Sequence, residues 1–352
     1  MKIGVVTYHE INNYGAQLQA ASLQRYIESK GYEVEIVNYK PIRTRIRIFM
    51  TILRPFLKFN FGGGIKEIRK RGMFVSNILK ISRLGRKSLY RESEAKKDLY
   101  DTYDVLICGS DELWNFQNYL GYLGVYALDF KVSQSTKKLS YAASLGSCEP
   151  DDSLTASLKA SLSEFSNILV RDPCTLDYVE SIGLTADRVL DPTFLFDFQT
   201  PEPKMKNYLM ITGTLSKHQV EVAIDAAQRL GLRPVSVGCT YPGFESIYID
   251  ATPLEWVGYI KNASFHFTSL FHGAVFSLKS RTSFAVYSSP EKMQKVGSLM
   301  GLFEQTERVV SLDANVEKLL SVSNVFYPPS FDEFFDGLVV KSQEMLIESI
   351  EN

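Results

Sequence analysis

Histidine and cysteine are scarce in this chain, with four of each among 352 residues. Cys108, Cys148, Cys174 and Cys239 stand far apart and form no C-x-x-C pair. That spacing argues against a zinc site or a disulfide framework and predicts free thiols in a reducing cytoplasm. No stretch approaches the roughly 18 apolar residues of a spanning helix, so a soluble or at most peripheral protein is expected. The start, Met1-Lys2-Ile3-Gly4-Val5-Val6-Thr7, lacks the long apolar core of a signal peptide. Excess charge of one sign is missing too: 39 Lys/Arg oppose 40 Asp/Glu, a net of -1, and no nucleic-acid partner is indicated. Low-complexity tracts are absent, and 12% aromatics within 45% hydrophobic residues argue for packed cores rather than disorder.

Charge is nevertheless unevenly placed. Lys40 to Lys97 holds 17 Lys/Arg and three acids (Glu67, Glu92, Glu94), a net of 17 − 3 = +14, leaving −1 − 14 = −15 for the rest. Within it, Ile42-Arg43-Thr44-Arg45-Ile46-Arg47-Ile48-Phe49-Met50 runs on through Leu53, Phe56, Leu57 and Phe59. Cations mixed with large apolar residues suit an interfacial helix on an anionic membrane, the partner favoured here over a merely solvated face. Gly62-Gly63-Gly64 interrupts the segment.

A length of 352 residues suits two α/β domains. Ile3–Tyr8 reads as a strand, and Ala16, Ala20, Leu23 and Ile27 recur at helical spacing before Gly31. Strands follow at Tyr32–Val37, Val105–Cys108, Leu139–Ala142, Ile168–Val170 and Arg188–Leu190, with helices at 151–165 and 174–182. After the polar, proline-bearing stretch Asp197–Asn207 a second alternating series begins, with strands at Tyr208–Ile211, Arg233–Val237, Ser264–Phe267 and Ser283–Tyr287. Strands alternating with helices predict mainly parallel sheets covered on both faces. The expected architecture is two doubly wound, Rossmann-like domains facing a cleft: 1–196 with a basic helical insertion at about 40–100, and 207–330. An amphipathic helix at 331–352 packs back on them.

In such sheets ligands bind beyond the carboxyl ends of the strands, and four polar turns fall there. The first is His9-Glu10-Ile11-Asn12-Asn13-Tyr14-Gly15-Ala16, where Gly15 lets helix amides approach an anion. It lacks G-x-G-x-x-G, and the second strand ends in Asn38-Tyr39 rather than an acid, so dinucleotide binding is not expected. The second is Gly109-Ser110-Asp111-Glu112-Leu113-Trp114-Asn115, suited to a sugar or phosphate, or simply to a helix cap at Ser110 or Asp111. The third is Arg171-Asp172-Pro173, where Arg171 offers a fixed cation and Asp172 a helix cap. The fourth is Thr268-Ser269-Leu270-Phe271-His272-Gly273. A lone histidine is more often structural, but His272 opens an apolar helix, whose dipole disfavours imidazolium until an anion binds. His218 reads as a surface residue and His266, between Phe265 and Phe267, as a buried hydrogen-bonded one.

Together and in this order, these turns resemble the polysaccharide pyruvyl transferase family. The resemblance spans nearly the whole chain. It rests on Thr7-Tyr8-His9, Asn13-Tyr14-Gly15-Ala16-Gln17-Leu18-Gln19-Ala20, Gly109-Ser110-Asp111 with Trp114-Asn115, Ser140-Tyr141-Ala142-Ala143-Ser144-Leu145-Gly146, Val170-Arg171-Asp172, Leu190-Asp191-Pro192-Thr193 and Phe271-His272-Gly273. It implies a glycosyltransferase-B-like fold and transfer of the carbon skeleton of phosphoenolpyruvate to a sugar, usually as a cyclic ketal. His272 then matches the family's catalytic histidine and Arg171 a donor-binding arginine. Asp111 is taken as the base or as a ligand to the sugar hydroxyls. His9, Asn13, Tyr14, Gly15, Ser110, Trp114, Ser144, Ser269 and Gly273 are the expected substrate-binding positions. No metal and no cofactor is implied; phosphoenolpyruvate is the donor substrate, and the acceptor is a sugar or lipid-linked oligosaccharide. Family members commonly carry Ser, or Arg in some branches, where this chain has Leu270, so donor clamping falls to Arg171 or another cation such as Arg281. The expected location is the cytoplasm, peripherally at the inner face of the plasma membrane. Two other readings stay open: a nucleotide-sugar glycosyltransferase with Glu245, Asp250 or Glu255 on the ribose, and a catalytically degenerate scaffold of a glycan assembly complex.

Overall fold

The structure is a computed structural model and describes residues 1–118, 120–121, 123–149, 151–247, 251–288 and 290–352. The chain divides into two compact units, Met1–Asp197 with Gly337–Asn352, and Phe198–Asp336.

Unit 1 begins with β1 (Lys2–Val6), α1 (Tyr14–Ser29) and β2 (Glu33–Ile36). The helical face read in the sequence is the buried one: Ala16, Ala20, Leu23 and Ile27 are all fully covered. Burial of Leu23 and Ile27 contributes about 1.5–3 kcal/mol each. Asn13 caps α1 by accepting from the Ala16 amide, and Gly31 leaves it at a φ of 90°. The basic segment folds into α2 (Ile42–Leu57), α3 (Phe61–Ile81) and α4 (Glu92–Asp98). The three glycines interrupt nothing; they lie in the first turn of α3, where Asn60 caps the Gly63 amide at 2.9 Å. The unit continues with β3 (Val105–Cys108), β4 (Lys137–Ala143), α5 (Asp152–Leu162), β5 (Asn167–Val170), α6 (Pro173–Ser181) and the two-residue β6 (Asp187–Arg188).

These strands form one parallel sheet in the order β2-β1-β3-β4-β5-β6. Alternation along the strands gives each face its own core, as a sheet covered on both sides requires. Ile3, Val5, Ile107, Leu139 and Leu169 pack with Leu23 and Ile27 of α1. Val6, Leu106, Cys108 and Val170 pack with Trp114, Leu158, Leu162 and Val179.

Unit 2 contains β7 (Tyr208–Thr212), α7 (Lys217–Arg229), β8 (Arg233–Val237), β9 (Glu245–Ile247), α8 (Pro253–Asn262) and β10 (Phe265–Thr268). It continues with α9 (Phe271–Ser280), β11 (Phe284–Tyr287), α10 (Pro290–Leu302), β12 (Val309–Val310) and α11 (Val316–Ser323). Its sheet runs β12-β11-β10-β7-β8-β9, with β7 at the centre and parallel neighbours throughout. One face packs Leu209, Ile211, Phe265 and Phe267 on α7 and α11; on α8 and α9, Trp256 meets Phe276 edge-on at 5.7 Å. The last helix, α12 (Phe331–Glu351), has Phe331–Asp336 in unit 2, while its Leu346 and Ile350 complete the α1-side core of unit 1. No helix among the described residues is long and apolar enough to cross a membrane.

Candidate active site

Parallel strands put every carboxyl end on one edge of each sheet. In unit 1 the strand order reverses between β1 and β3, the position where doubly wound sheets open a crevice. The turns after those two strands are bonded together. Thr7 Oγ1 donates to the Ser110 carbonyl at 3.2 Å and accepts from Gln19 Nε2 at 2.9 Å. Gln19 Oε1 accepts from the Ser110 amide at 3.3 Å. Gln19 was legible only as part of a motif; here it ties the first turn to the second.

His9 points inward. It is 1% exposed, and its Nδ1 lies 3.2 Å from the Thr7 carbonyl. Burial lowers its pKa to about 4, with Lys40 and Arg71 adding to the fall against the Thr7 carbonyl and Asn38. Its imidazole is therefore a neutral strut under the loop rather than a group offered to a ligand. Tyr14, Gly15, Trp114 and Ser144 are buried as well, Trp114 completely. Trp114 belongs to the core and is fully covered, so it offers no stacking face. Ser110 is fully buried and its hydroxyl finds no partner among the described residues.

Neither Ser110 nor Asp111 caps a helix. Asp111 instead sits at a φ of 83°, bridged to Ala143, and the Ser144 amide donates to its carbonyl at 3.1 Å. Its side chain is one-fifth exposed (20%) and lies 3.7 Å from Arg171. Arg171 is 6% exposed and pairs with Asp191 at 3.1 Å; the other Asp191 oxygen accepts from the Thr193 amide and hydroxyl. Burial opposes the guanidinium charge, but Asp191, then Asp111, Asp172 and Glu112, together raise its pKa. Asp172 caps α6 through the Thr175 amide at 3.0 Å. The structure thus brings Arg171 and Asp111 together, as an internal strut whose Asp111 carboxylate is one-fifth exposed.

In unit 2 the order reverses between β7 and β10, and the His272 turn follows β10 directly. Ser269 Oγ accepts from the Thr214 amide and donates to the Thr214 carbonyl, both at 3.0 Å. That clasp presses on Gly213, whose φ is 94° and whose missing Cβ leaves room for the Ser269 hydroxyl. A Cβ at Gly273 would likewise collide with Thr268 Oγ1. Beneath runs a buried neutral chain. Ser277 donates to the Gly273 carbonyl at 2.9 Å and meets His266 Nδ1 at 2.7 Å. His266 Nε2 meets Thr212 Oγ1 at 2.9 Å, Thr212 meets Thr268 at 2.7 Å, and Thr268 accepts from the Leu270 amide at 3.0 Å. Burial alone lowers the His266 pKa to about 3.

His272 is half-buried in the first turn of α9, edge-on to Phe271 at 5.3 Å. Leu270 stands at the N-cap and supplies no side-chain bond to that turn. The departure from Ser has a physical consequence: helix amides that a Ser hydroxyl would satisfy are left to other partners, an anion among them. Arg281 does not serve this turn. It ends α9, about 15 Å along a ten-residue helix, with its guanidinium on Asp332 at 2.6 Å and stacked on Phe335. A cation missed in the sequence lies nearer: Lys295 Nζ of α10 sits 5.7 Å from the Phe271 ring centre. Helical spacing alone gives no hint that Lys295 turns toward Phe271.

Of the acids considered for a ribose, Glu255 closes the capping box of α8 by accepting from Thr252 at 2.6 Å, and Glu245 pairs with Arg233 at 2.5 Å. Asp250 lies outside the described residues. His218 is exposed. Among the described residues no three His, Cys, Asp or Glu side chains are gathered as for a metal ion.

A family model described as polysaccharide pyruvyl transferase matches residues 13–290, which reach from the cap of α1 to the start of α10. Among curated proteins none matches the chain. Solved structures of similar fold include S. aureus MnaA in a co-structure with UDP, at 12% identity over 99% of this chain and 96% of that one, TM-score 0.51. UDP-GlcNAc 2-epimerase from Methanocaldococcus jannaschii is 11% identical over 100% and 99%, TM-score 0.50. Arabidopsis thaliana UGT89C1 complexed with UDP is 12% identical over 100% and 99%, TM-score 0.50. At such identities the likeness concerns the fold alone: two Rossmann-like units of the glycosyltransferase-B type.

Proposed function

The chain belongs to the polysaccharide pyruvyl transferase family, and we propose that it transfers the pyruvyl group of phosphoenolpyruvate to two hydroxyls of a sugar as a ketal. The setting is bacterial exopolysaccharide, capsule or cell-wall glycan synthesis, in the cytoplasm. The observation that carries this reading is the His272 turn: an imidazole on the first turn of α9, without a side-chain cap, at the strand-order reversal of unit 2. A small polyanion suits such a turn, because helix amides and a nearby cation stabilise it without a nucleotide pocket.

In the proposed reaction His272 gives a proton to the methylene carbon of phosphoenolpyruvate, leaving an oxocarbenium-like centre at C2. Amides at the start of α9 and the Lys295 ammonium hold the donor's phosphate and carboxylate. One sugar hydroxyl attacks C2 and loses its proton to Asp111, the proposed base, which lies 3.7 Å from Arg171. The C2–O bond to phosphate breaks, and a second hydroxyl closes the ketal. Of the two hydroxyl protons, one restores His272 and one leaves with inorganic phosphate. Ser269 and Gly273 shape the donor turn; Asn13 frames the acceptor side, with His9, Tyr14, Gly15, Ser110, Trp114 and Ser144 supporting it from within.

The nucleotide-sugar alternative draws on the shared fold but finds Glu255 and Glu245 already engaged. Thermal-shift titration separates the two. Phosphoenolpyruvate is expected to stabilise the protein and UDP to leave it unmoved; the opposite pattern favours the glycosyltransferase. A silent protein whose His272→Ala variant behaves identically with a panel of glycan acceptors points to the scaffold.

A further inference from the structure

Helix α3 is apolar on two opposite sides. Phe74, Asn77, Ile78 and Ile81 face inward, with Phe74 ring-to-ring with Tyr14 of α1 at 5.0 Å and its carbonyl bonded by Gln17 at 2.9 Å. On the other side Phe61, Ile65, Ile68, Val75 and Leu79 recur at i, i+4, i+7, i+14 and i+18, and every one is exposed. Phe61 at 60% and Leu79 at 61% show how little covers this stripe from end to end. Helix α2, whose one buried residue is Thr44, likewise exposes Ile42, Ile46, Phe49, Met50 and Leu57 along one face. A helix with an apolar face inward and a second one outward has a further surface to bury.

The charges around these stripes say what kind. From Ile42 to Ile81 there are ten Lys/Arg (43, 45, 47, 54, 58, 66, 69, 70, 71 and 80) and a single acid, Glu67. On α2 the arginines flank the apolar stripe: Arg45 to one side, stacked on Tyr90 at 4.8 Å, and Arg43, Arg47 and Arg54 to the other. Arg47 and Arg54, with Met50, Thr51, Pro55 and Glu67, line a groove of about 380 Å³ beside the stripe. A second copy of the chain would set this strongly positive segment against its like, which long-range repulsion opposes. An apolar layer bordered by anions meets both demands at once.

We propose that α2 and α3 dock the protein on an anionic phospholipid bilayer, with the two apolar stripes immersed among the acyl chains and the flanking arginines on lipid phosphates. Each Lys or Arg at the surface strengthens partitioning about five-fold, so losing two reduces binding by more than an order of magnitude. Arg71 of α3 also bonds the Glu10 carbonyl, Asn12 at 3.0 Å and the Glu10 carboxylate at 3.1 Å. The docked surface is thereby tied, across roughly one helix width, to the turn after β1. Only the consequence that a lipid-linked sugar is offered to that turn rests on the pyruvyl reading.

The test is co-sedimentation of the full chain with phosphatidylcholine vesicles, alone or containing phosphatidylglycerol. The phosphatidylglycerol vesicles are expected to bind at least about tenfold more protein, and added salt to reverse this. Phe49→Asp with Ile68→Asp, exposed positions that leave thermal unfolding unchanged, abolishes binding; Arg47→Ser with Arg54→Ser lowers binding to the phosphatidylglycerol vesicles by more than about tenfold. Binding indifferent to phosphatidylglycerol, or equal in wild type and Phe49→Asp/Ile68→Asp, overturns the proposal. So does a stable dimer by light scattering that the same aspartates dissociate, or capture of an acidic protein in place of vesicles. Activity on a water-soluble acceptor is read separately, so loss of docking and loss of pyruvyl transfer are not confused.

Discussion

At the strand ends of unit 1 a buried cation is fixed among carboxylates, whereas at those of unit 2 the buried polar groups are neutral hydroxyls and an imidazole. Arg171 has two carboxylates of its own unit, Asp191 at 3.1 Å and Asp111 at 3.7 Å, against its charge. The α9 turn has the reverse character, with a neutral scaffold of Thr212, Thr268, His266 and Ser277 and no side-chain cap on top. A charged site filled by its own protein serves as architecture. An uncharged one at a helix N-terminus is where an incoming anion gains most.

Breaking unit 2 at the proposed acid has the largest expected effect. His272→Ala is predicted to lower pyruvyl transfer by about 100- to 10,000-fold with the fold intact by circular dichroism. Full activity in that variant removes the assignment. Arg171→Met tests the architectural role of unit 1: leaving Asp191 buried without its cation costs about 3–5 kcal/mol, measured by urea unfolding. A stability loss below 1 kcal/mol with a large rise in donor KM returns Arg171 to donor binding. Lys295→Gln sharpens the same contrast from the other side, since KM for phosphoenolpyruvate is expected to rise about tenfold with kcat little changed. A kcat loss with unchanged KM contradicts a donor-holding role.

A pH effect touches both units. Burial holds His9 at about 4 and His266 at about 3, below the ordinary 6.5. Between 6.5 and those values the unfolded chain binds the extra protons, so stability rises with pH and is lost on acidification. Each histidine contributes about 1.4 kcal/mol per pH unit in that window. Urea midpoints at pH 7, 6 and 5 are expected to fall accordingly, and less steeply in His266→Gln. An equal slope in the variant shows that His266 is not titrating as a buried neutral base.

Much of the fold is legible in the sequence where periodicity is long. The α1 face of Ala16, Ala20, Leu23 and Ile27 reads directly, as do the runs Val105–Cys108, Tyr208–Ile211 and Phe284–Tyr287. Short edges do not: β12 has two residues and β9 three, too few for a period of two to register. Arg308 is also hidden, a fully buried arginine held by Gln305, the Val325 carbonyl and the Tyr327 ring. The site divides similarly. Residue types after strands point to His9, Asp111, Arg171 and His272, but direction is a tertiary property. His9 and Trp114 turn inward, Arg281 lies at the wrong end of α9, and Lys295 reaches Phe271 from another helix.

The central claim is most directly tested by incubating the protein with phosphoenolpyruvate and a panel of lipid-linked glycans, following phosphate release and acceptor mass together. The account predicts one phosphate released per pyruvyl ketal gained, both lost in His272→Ala. Glycan gaining a sugar from a nucleotide donor, with phosphoenolpyruvate untouched, contradicts it.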